Sequence, residues 1–321
     1  MSKYRGRLPQ LRGELFLTDG GIETTLVFHE GVTLPCFASF DLLKDETGTA
    51  VLRRYFERYA ELARSSELGL VLETPTWRAN ADWGAKLGHA ANSLADVNRR
   101  SVALLLDIRR EYETSRSPIV ISGNLGPRGD GYSPGARMSA AEAEEYHAPQ
   151  IEVFAGTEAD MVAAFTMNYP EEAVGIVRAA KAAKMPVAIS FTTETDGRLP
   201  SGATLRDAIE ATDDASAGYP AYYMINCAHP THLTEALAGT GGWSDRIRGL
   251  RANASRRSHK ELDESPDLDE GNPEELGREY QELRGSLPEL SVVGGCCGTD
   301  HRHVAAIARA MGGVAEEMRP A

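Results

Sequence analysis

The stretch MVAAFTMNYPEEAVGIVRAAKAAKMPVAISF, residues 161–191, contains the unit that decides the fold. Its apolar runs at 161–165 and 187–191 read as strands, and the segment between them opens on Pro170-Glu171-Glu172. Proline's fixed φ suits the first position of a helix, and two carboxylates there face the positive end of the helix dipole. Strand, helix and strand in that order imply a parallel pair joined by a crossover helix. Outward from this unit, similar runs at 15–18, 68–73, 119–122, 222–226, 247–251 and 291–293 bring the predicted strands to eight. Between them, Leu94, Val97, Ser101, Leu104, Leu105 and Ile108 fall on one helical face, and Val304, Ile307, Ala308 and Met311 repeat that spacing after the last strand. Eight such repeats in 321 residues predict an α/β fold, a closed (β/α)8 TIM barrel forming one domain over residues 1–321, rather than an open sheet.

Two segments interrupt the rhythm. Residues 123–139 (GNLGPRGDGYSPGARMS) follow the third strand on the face where barrel enzymes keep their chemistry, and both a substrate lid and a solvated crossover fit them. Residues 255–272 (SRRSHKELDESPDLDEGN) form a long polar insertion after strand 7, expected to be a mobile surface connection.

Composition narrows the partners. Lys and Arg number 34 against 47 Asp and Glu, a net charge of −13, which argues against nucleic acid or an anionic membrane and for small-molecule substrates. The longest apolar runs, 68–72 and 102–106, fall far short of the roughly 20 residues of a membrane span. Residues 1–12 carry Lys3, Arg5, Arg7 and Arg12 without an apolar segment, so a cytoplasmic location is expected. In that reducing compartment the four cysteines are expected as ligands, nucleophiles or buried small side chains rather than as disulfides.

Three of the four end predicted strands: Cys227 after strand 6, and Cys296 with Cys297 after strand 8. In a barrel these ends face one mouth, and Gly294, Gly295 and Gly298 around the pair are expected to allow unusual backbone angles. Three thiolates are a soft donor set that selects Zn2+, and three protein ligands leave an open fourth position for a substrate thiol. Two other readings stand beside this one. The adjacent cysteines fit a buried apolar pair, and His229, His232, His301 and His303 are near enough in sequence to complete a structural four-ligand site. His301 and His303 follow Thr299-Asp300, a helix-capping pair, and so read as first-turn residues; Cys36 after Pro35 has no apparent partner.

Set out this way, the chain resembles the zinc-dependent homocysteine S-methyltransferase family, which includes the betaine and S-methylmethionine enzymes. The resemblance runs from Leu17-Thr18-Asp19-Gly20-Gly21 through Leu72-Glu73-Thr74 and Asn226-Cys227 to Val293-Gly294-Gly295-Cys296-Cys297-Gly298-Thr299. It implies a (β/α)8 barrel in which Cys227, Cys296 and Cys297 hold zinc and the metal holds the acceptor thiol. It further implies that Asp19-Gly20 contacts the acceptor's ammonium, that Thr74 in the Glu73–Trp77 motif holds its carboxylate, and that Phe37 offers a ring to an onium donor. Asp19 as a turn cap, Glu73 as partner of a barrel arginine and Trp77 as packing are the structural alternatives. One position departs from the pattern: where many members have a glutamate after strand 4, this chain has Phe165. Either Asp19 then acts with another acid such as Glu73, or the acceptor is a thiol or selenol lacking homocysteine's amino group.

The implied reaction is methyl transfer from a small sulfonium or ammonium donor to homocysteine thiolate, forming methionine. S-methylmethionine, S-adenosylmethionine, betaine and dimethylsulfoniopropionate all fit as donors. The absence of a glycine-rich dinucleotide fingerprint favours a small free onium compound. A non-catalytic zinc- or thiol-sensing barrel is the remaining alternative, and the resemblance leaves monomer and homo-oligomer equally open.

Overall fold

The computed structural model describes residues 2–237, 241–265 and 267–312. Eight strands, β1 (Phe16–Leu17), β2 (Gly69–Glu73), β3 (Ile119–Leu125), β4 (Met161–Met167), β5 (Val187–Thr192), β6 (Tyr222–Asn226), β7 (Ile247–Ala252) and β8 (Val292–Gly295), pair in parallel. They close in sequence order, with β8 returning to β1 through Phe16 against Val292. The helices around them are α1 (Glu46–Ser65), α2 (Ala81–Lys86), α3 (Ala91–Tyr112), α4 (Ala140–Ala155), α5 (Pro170–Ala182), α6 (Leu205–Ser216), α7 (His259–Asp263), α8 (Pro273–Leu283) and α9 (His301–Ala310). All eight expected strands are present; β3 and β4 each run past their predicted ends, so Gly123 to Leu125 belong to the sheet and not to the loop. No helix among the described residues is long and apolar enough to cross a membrane.

The period of two along each strand sorts the core into two groups. Leu70, Leu72, Tyr223 and Ile225 join the apolar layer shared with the helices, whereas Val71, Met161, Ala163, Tyr222 and Met224 fill the barrel's interior. One step further along the inward-facing rows the residues become polar: Glu73 follows Val71, Asn226 follows Met224 and Arg251 follows Gly249. Apolar packing therefore plugs the lower barrel, and a polar layer lies beneath the C-terminal mouth.

The opposite end is closed by the basic N-terminal segment. Leu8 and Leu11 pack on the interior cluster, while the Arg5 guanidinium donates to the carbonyls of Ala155, Thr157 and Ala159 just past α4, where the helix dipole favours a cation. Arg109 of α3 pairs with the fully buried Asp160 at 2.6 Å, and Asp160 also accepts the backbone N–H groups of Tyr4 and Ile121.

The start of α5 differs from its sequence reading in one respect. Glu172 is buried and acts as a clasp more than as a dipole charge: its Oε1 accepts the Arg128 backbone N–H at 2.8 Å and meets His147 Nε2 at 2.9 Å. The insertion after β7 also differs. It contains α7 and is tied down at both ends, by Ser255 Oγ donating to Asp269 at 2.7 Å and by His303 Nε2 meeting the Glu270 carbonyl at 2.8 Å. Its high charge, read as a solvated connection, hides these anchors.

Candidate active site

Parallel closure sets the ends of β6 and β8 on the same rim, two strands apart. The sulfurs of Cys227, Cys296 and Cys297 lie within 4.8 Å of one another there, and among the described residues no histidine or carboxylate joins the group. The structure bonds Cys227 to Cys296 as a disulfide, with Cys297 outside that bond and its sulfur 3.9 Å from the Tyr132 hydroxyl. The sequence reading expected no disulfide. Three sulfurs within 4.8 Å of one another are near enough for two of them to bond.

The cysteines are positioned by amide side chains. Asn226 Nδ2 donates to Cys227 Sγ at 3.2 Å and to Thr166 Oγ1 at 3.0 Å, while its Oδ1 accepts from Ser190 Oγ and the Thr166 N–H. Asn253 Oδ1 accepts the Cys297 N–H at 3.1 Å, and Asn253 Nδ2 donates to the Cys227 carbonyl at 3.1 Å. Cys227 and Thr166 sit at φ 54° and 62°, left-handed values that cost energy for residues with a Cβ and cluster at functional sites. Of the three glycines beside the cysteine pair, only Gly298 has the expected positive φ, 78°. Gly294 and Gly295 are required for a different reason: a Cβ on either would run into the hydroxyl of Thr18 or Thr299.

The histidines weighed as fourth ligands are engaged elsewhere. His229 meets Glu279 at 3.2 Å and Thr231 Oγ1 at 2.9 Å, with burial pushing its pKa down to about 4; His232 Nε2 meets the Arg256 carbonyl. His303 completes a capping box with Asp300 at the start of α9, and His301 is an exposed first-turn residue, as expected. His29, Glu270 and Asp300 form a second group with metal-like spacing, but the Arg302 guanidinium already pairs with both carboxylates.

On the β1 side, Asp19 is buried and ion-paired. Arg251 Nη2 lies 2.6 Å from its Oδ1, and the Tyr55 hydroxyl donates to its Oδ2 at 2.8 Å. Burial pushes the Asp19 pKa up, and Arg251 and Tyr55 oppose that rise. The Gly20 carbonyl accepts from Tyr55 and Arg251. On β2, Glu73 is 3 % exposed, and burial raises its pKa to about 7 against the opposing pull of the Arg251 charge and the Ser122 hydroxyl. The Thr74 hydroxyl accepts the Asn124 N–H and shares a 2.6 Å hydrogen bond with Thr76, so it braces the loop. Trp77 Nε1 donates to the Phe165 carbonyl at 3.4 Å, and the Phe165 ring lies 5.1 Å from the Arg251 guanidinium. Phe37 stands apart, 54 % exposed in the turn Pro35–Phe37, with the thiol of Cys36 exposed beside it.

Three residues at this mouth escaped the sequence reading. Arg251 was legible in principle, since alternation from Gly249 turns it inward at the C-terminal end of a strand. Tyr132 lies in the segment for which a substrate lid and a solvated crossover both fit, and His259 in the insertion read as a mobile surface connection. The Tyr132 ring is 4.0 Å from that of His259, its hydroxyl is 3.9 Å from Cys297 Sγ, and His259 Nε2 meets the Cys227 carbonyl at 2.6 Å. The Gly/Pro-rich loop after β3 and the insertion after β7 thus meet over the sulfurs.

A closed parallel barrel with three converging thiols at its C-terminal mouth defines a barrel enzyme built around a soft-donor centre able to hold a metal ion. A profile of the homocysteine S-methyltransferase family matches residues 16–311, and the chain belongs to that family. It is a methyltransferase whose acceptor is homocysteine. Among solved structures, the homocysteine methyltransferase MmuM from Escherichia coli in its metallated form is 18% identical with a TM-score of 0.73, over 95% of this chain and 99% of that one. Its oxidised form is 20% identical with a TM-score of 0.71, over 96% and 99%. Comparison with curated proteins by sequence gives no match.

Proposed function

We propose that Cys227, Cys296 and Cys297, as thiolates, hold one zinc ion, and that a small free onium compound donates the methyl group to homocysteine. The observation that carries the metal assignment is the convergence of three sulfurs within 4.8 Å with no other protein donor among the described residues. Soft thiolates favour zinc, and three protein ligands leave a position for a substrate sulfur. Bound there, the ion would hold the acceptor's sulfur as a thiolate near neutral pH.

In the transfer, the homocysteine sulfur forms a bond to the methyl carbon while the donor's bond to that carbon breaks. The electron pair leaves with a neutral thioether or amine, and no proton moves at carbon. Asn226 and Asn253 fix the cysteines, and Phe165, Trp77 and Tyr132 line a mouth that excludes water and aligns the partners. Asp19, Gly20, Glu73, Thr74 and Trp77 form the rim against which the acceptor's head group rests, and Phe37 lies further out, toward the donor. A cytoplasmic compartment suits this reading because it keeps the cysteines reduced.

Cys297→Ala is expected to lose stoichiometric zinc by metal analysis and to methylate homocysteine at a small fraction of the wild-type rate. Full zinc content and full rate in that variant would sink the assignment. A screen of sulfonium and ammonium donors with homocysteine, read by mass spectrometry, identifies the donor.

A further inference from the structure

Arg251 occupies the place at Asp19 that a substrate ammonium would take. Its Nη2 pairs with Asp19 at 2.6 Å and donates to the Gly20 carbonyl at 3.1 Å, and its Nε donates to the Gly295 carbonyl at 3.0 Å. The remaining nitrogen, Nη1, donates to no described residue. Glu73, on the other side of β1 and β8, is a buried carboxylate with the neutral Ser122 hydroxyl beside it, and it forms no ion pair with Arg251. In Arg251 the mouth therefore holds a cation with a further donor to offer, and in Glu73 a carboxylate with no counter-charge in contact, set apart from each other. Phe165 lies beneath the guanidinium and adds no charge.

Resting on the reading that this site takes homocysteine, we propose that Arg251 and Glu73 form a clamp for the amino-acid head group, Arg251 Nη1 receiving the α-carboxylate and Glu73 the α-ammonium. Asp19, on the same rim, is then chiefly a positioning residue: with Tyr55 it holds the guanidinium, and Glu73 rather than Asp19 is the ion-pair partner of the ammonium. The α-carboxylate and α-ammonium sit on one carbon, which suits two opposite charges that face one gap without closing on each other. An arriving ammonium gives Glu73 a counter-charge in contact, which favours its ionised form against the burial that raises its pKa.

The test measures binding of the product, L-methionine, beside two truncated analogues, 4-(methylthio)butanoate without the ammonium and 3-(methylthio)propylamine without the carboxylate. Calorimetry at about pH 8, where Glu73 is largely ionised, needs neither donor nor metal, so its outcome is separate from that of the zinc and donor assignments. The wild type is expected to bind methionine about tenfold or more tighter than either analogue. Glu73→Gln should weaken methionine by about tenfold and leave 4-(methylthio)butanoate unchanged. Arg251→Lys, which keeps the charge beside Asp19, should weaken both carboxylates by about tenfold and leave the amine unchanged. Equal binding of all three ligands by the wild type, or equal losses for all three in the variants, overturns the clamp. So does Asp19→Asn, with its melting temperature retained, if it alone abolishes the preference for methionine over 4-(methylthio)butanoate. A wild type that binds methionine as expected but transfers no methyl group leaves the clamp standing and refutes the catalytic reading.

Discussion

Glu73 is the residue at which burial and charge oppose each other most plainly. Its pKa rises from 4.5 to about 7 because burial outweighs the attraction of Arg251. At Glu73 the folded state thus binds a proton more tightly than the unfolded state, so this group's contribution to stability is most favourable below about pH 4.5 and falls as pH rises through about 7. Glu73→Gln removes that loss, and thermal melting should show little difference from wild type near pH 4.5. Above pH 7 the variant should be more stable by up to about 3 kcal/mol. Identical pH profiles for the two proteins would show that Glu73 is solvated. At this scale the sequence disclosed the three cysteines that converge at the mouth but not Arg251 beside them, nor how Asp19, Arg251 and Glu73 share charge. Asp19 looked like a free anion because its partner is a residue 232 positions away in the chain, brought to it only by barrel closure.

At the scale of elements, the strands were legible because eight short apolar runs alternate with helical spacing, a pattern that survives whatever packs on it. The loops were not, because their order depends on single long-range contacts. Gly123 and Asn124 read as loop by composition, yet they pair with Val162 and Ala163 on β4. The insertion after β7 read as mobile, yet His259 seats it on the Cys227 carbonyl and under the Tyr132 ring. His259→Ala removes both contacts while sparing every sulfur. Limited proteolysis should then cut the 126–139 loop faster, by about the tenfold that a loss near 1.4 kcal/mol of local stability implies. Zinc stoichiometry should hold, and an unchanged cleavage rate would show that the two loops close independently.

Across the whole molecule the two barrel ends carry different loads. The C-terminal mouth keeps left-handed backbone at Cys227 and Thr166, a buried carboxylate and converging sulfurs, costly features of the kind that cluster at functional sites. The far end is built for stability: the N-terminal segment seals it, and Arg109, Asp160 and two backbone N–H groups satisfy one another in the core. Breaking a buried pair from one side leaves an uncompensated charge, which costs about 3–5 kcal/mol. Arg109→Met should therefore lower the melting temperature by roughly 10 °C. Because Asp160 precedes β4 at the end opposite the cysteines, kcat, KM for homocysteine and zinc content at a temperature well below the transition should match wild type. A variant that melts normally but has lost its KM would mean that the interior layers couple the two ends. That outcome is disfavoured by the apolar plug between them, in which Val71, Met161, Ala163, Tyr222 and Met224 are buried together and no ion pair bridges from Asp160 to the mouth among the described residues.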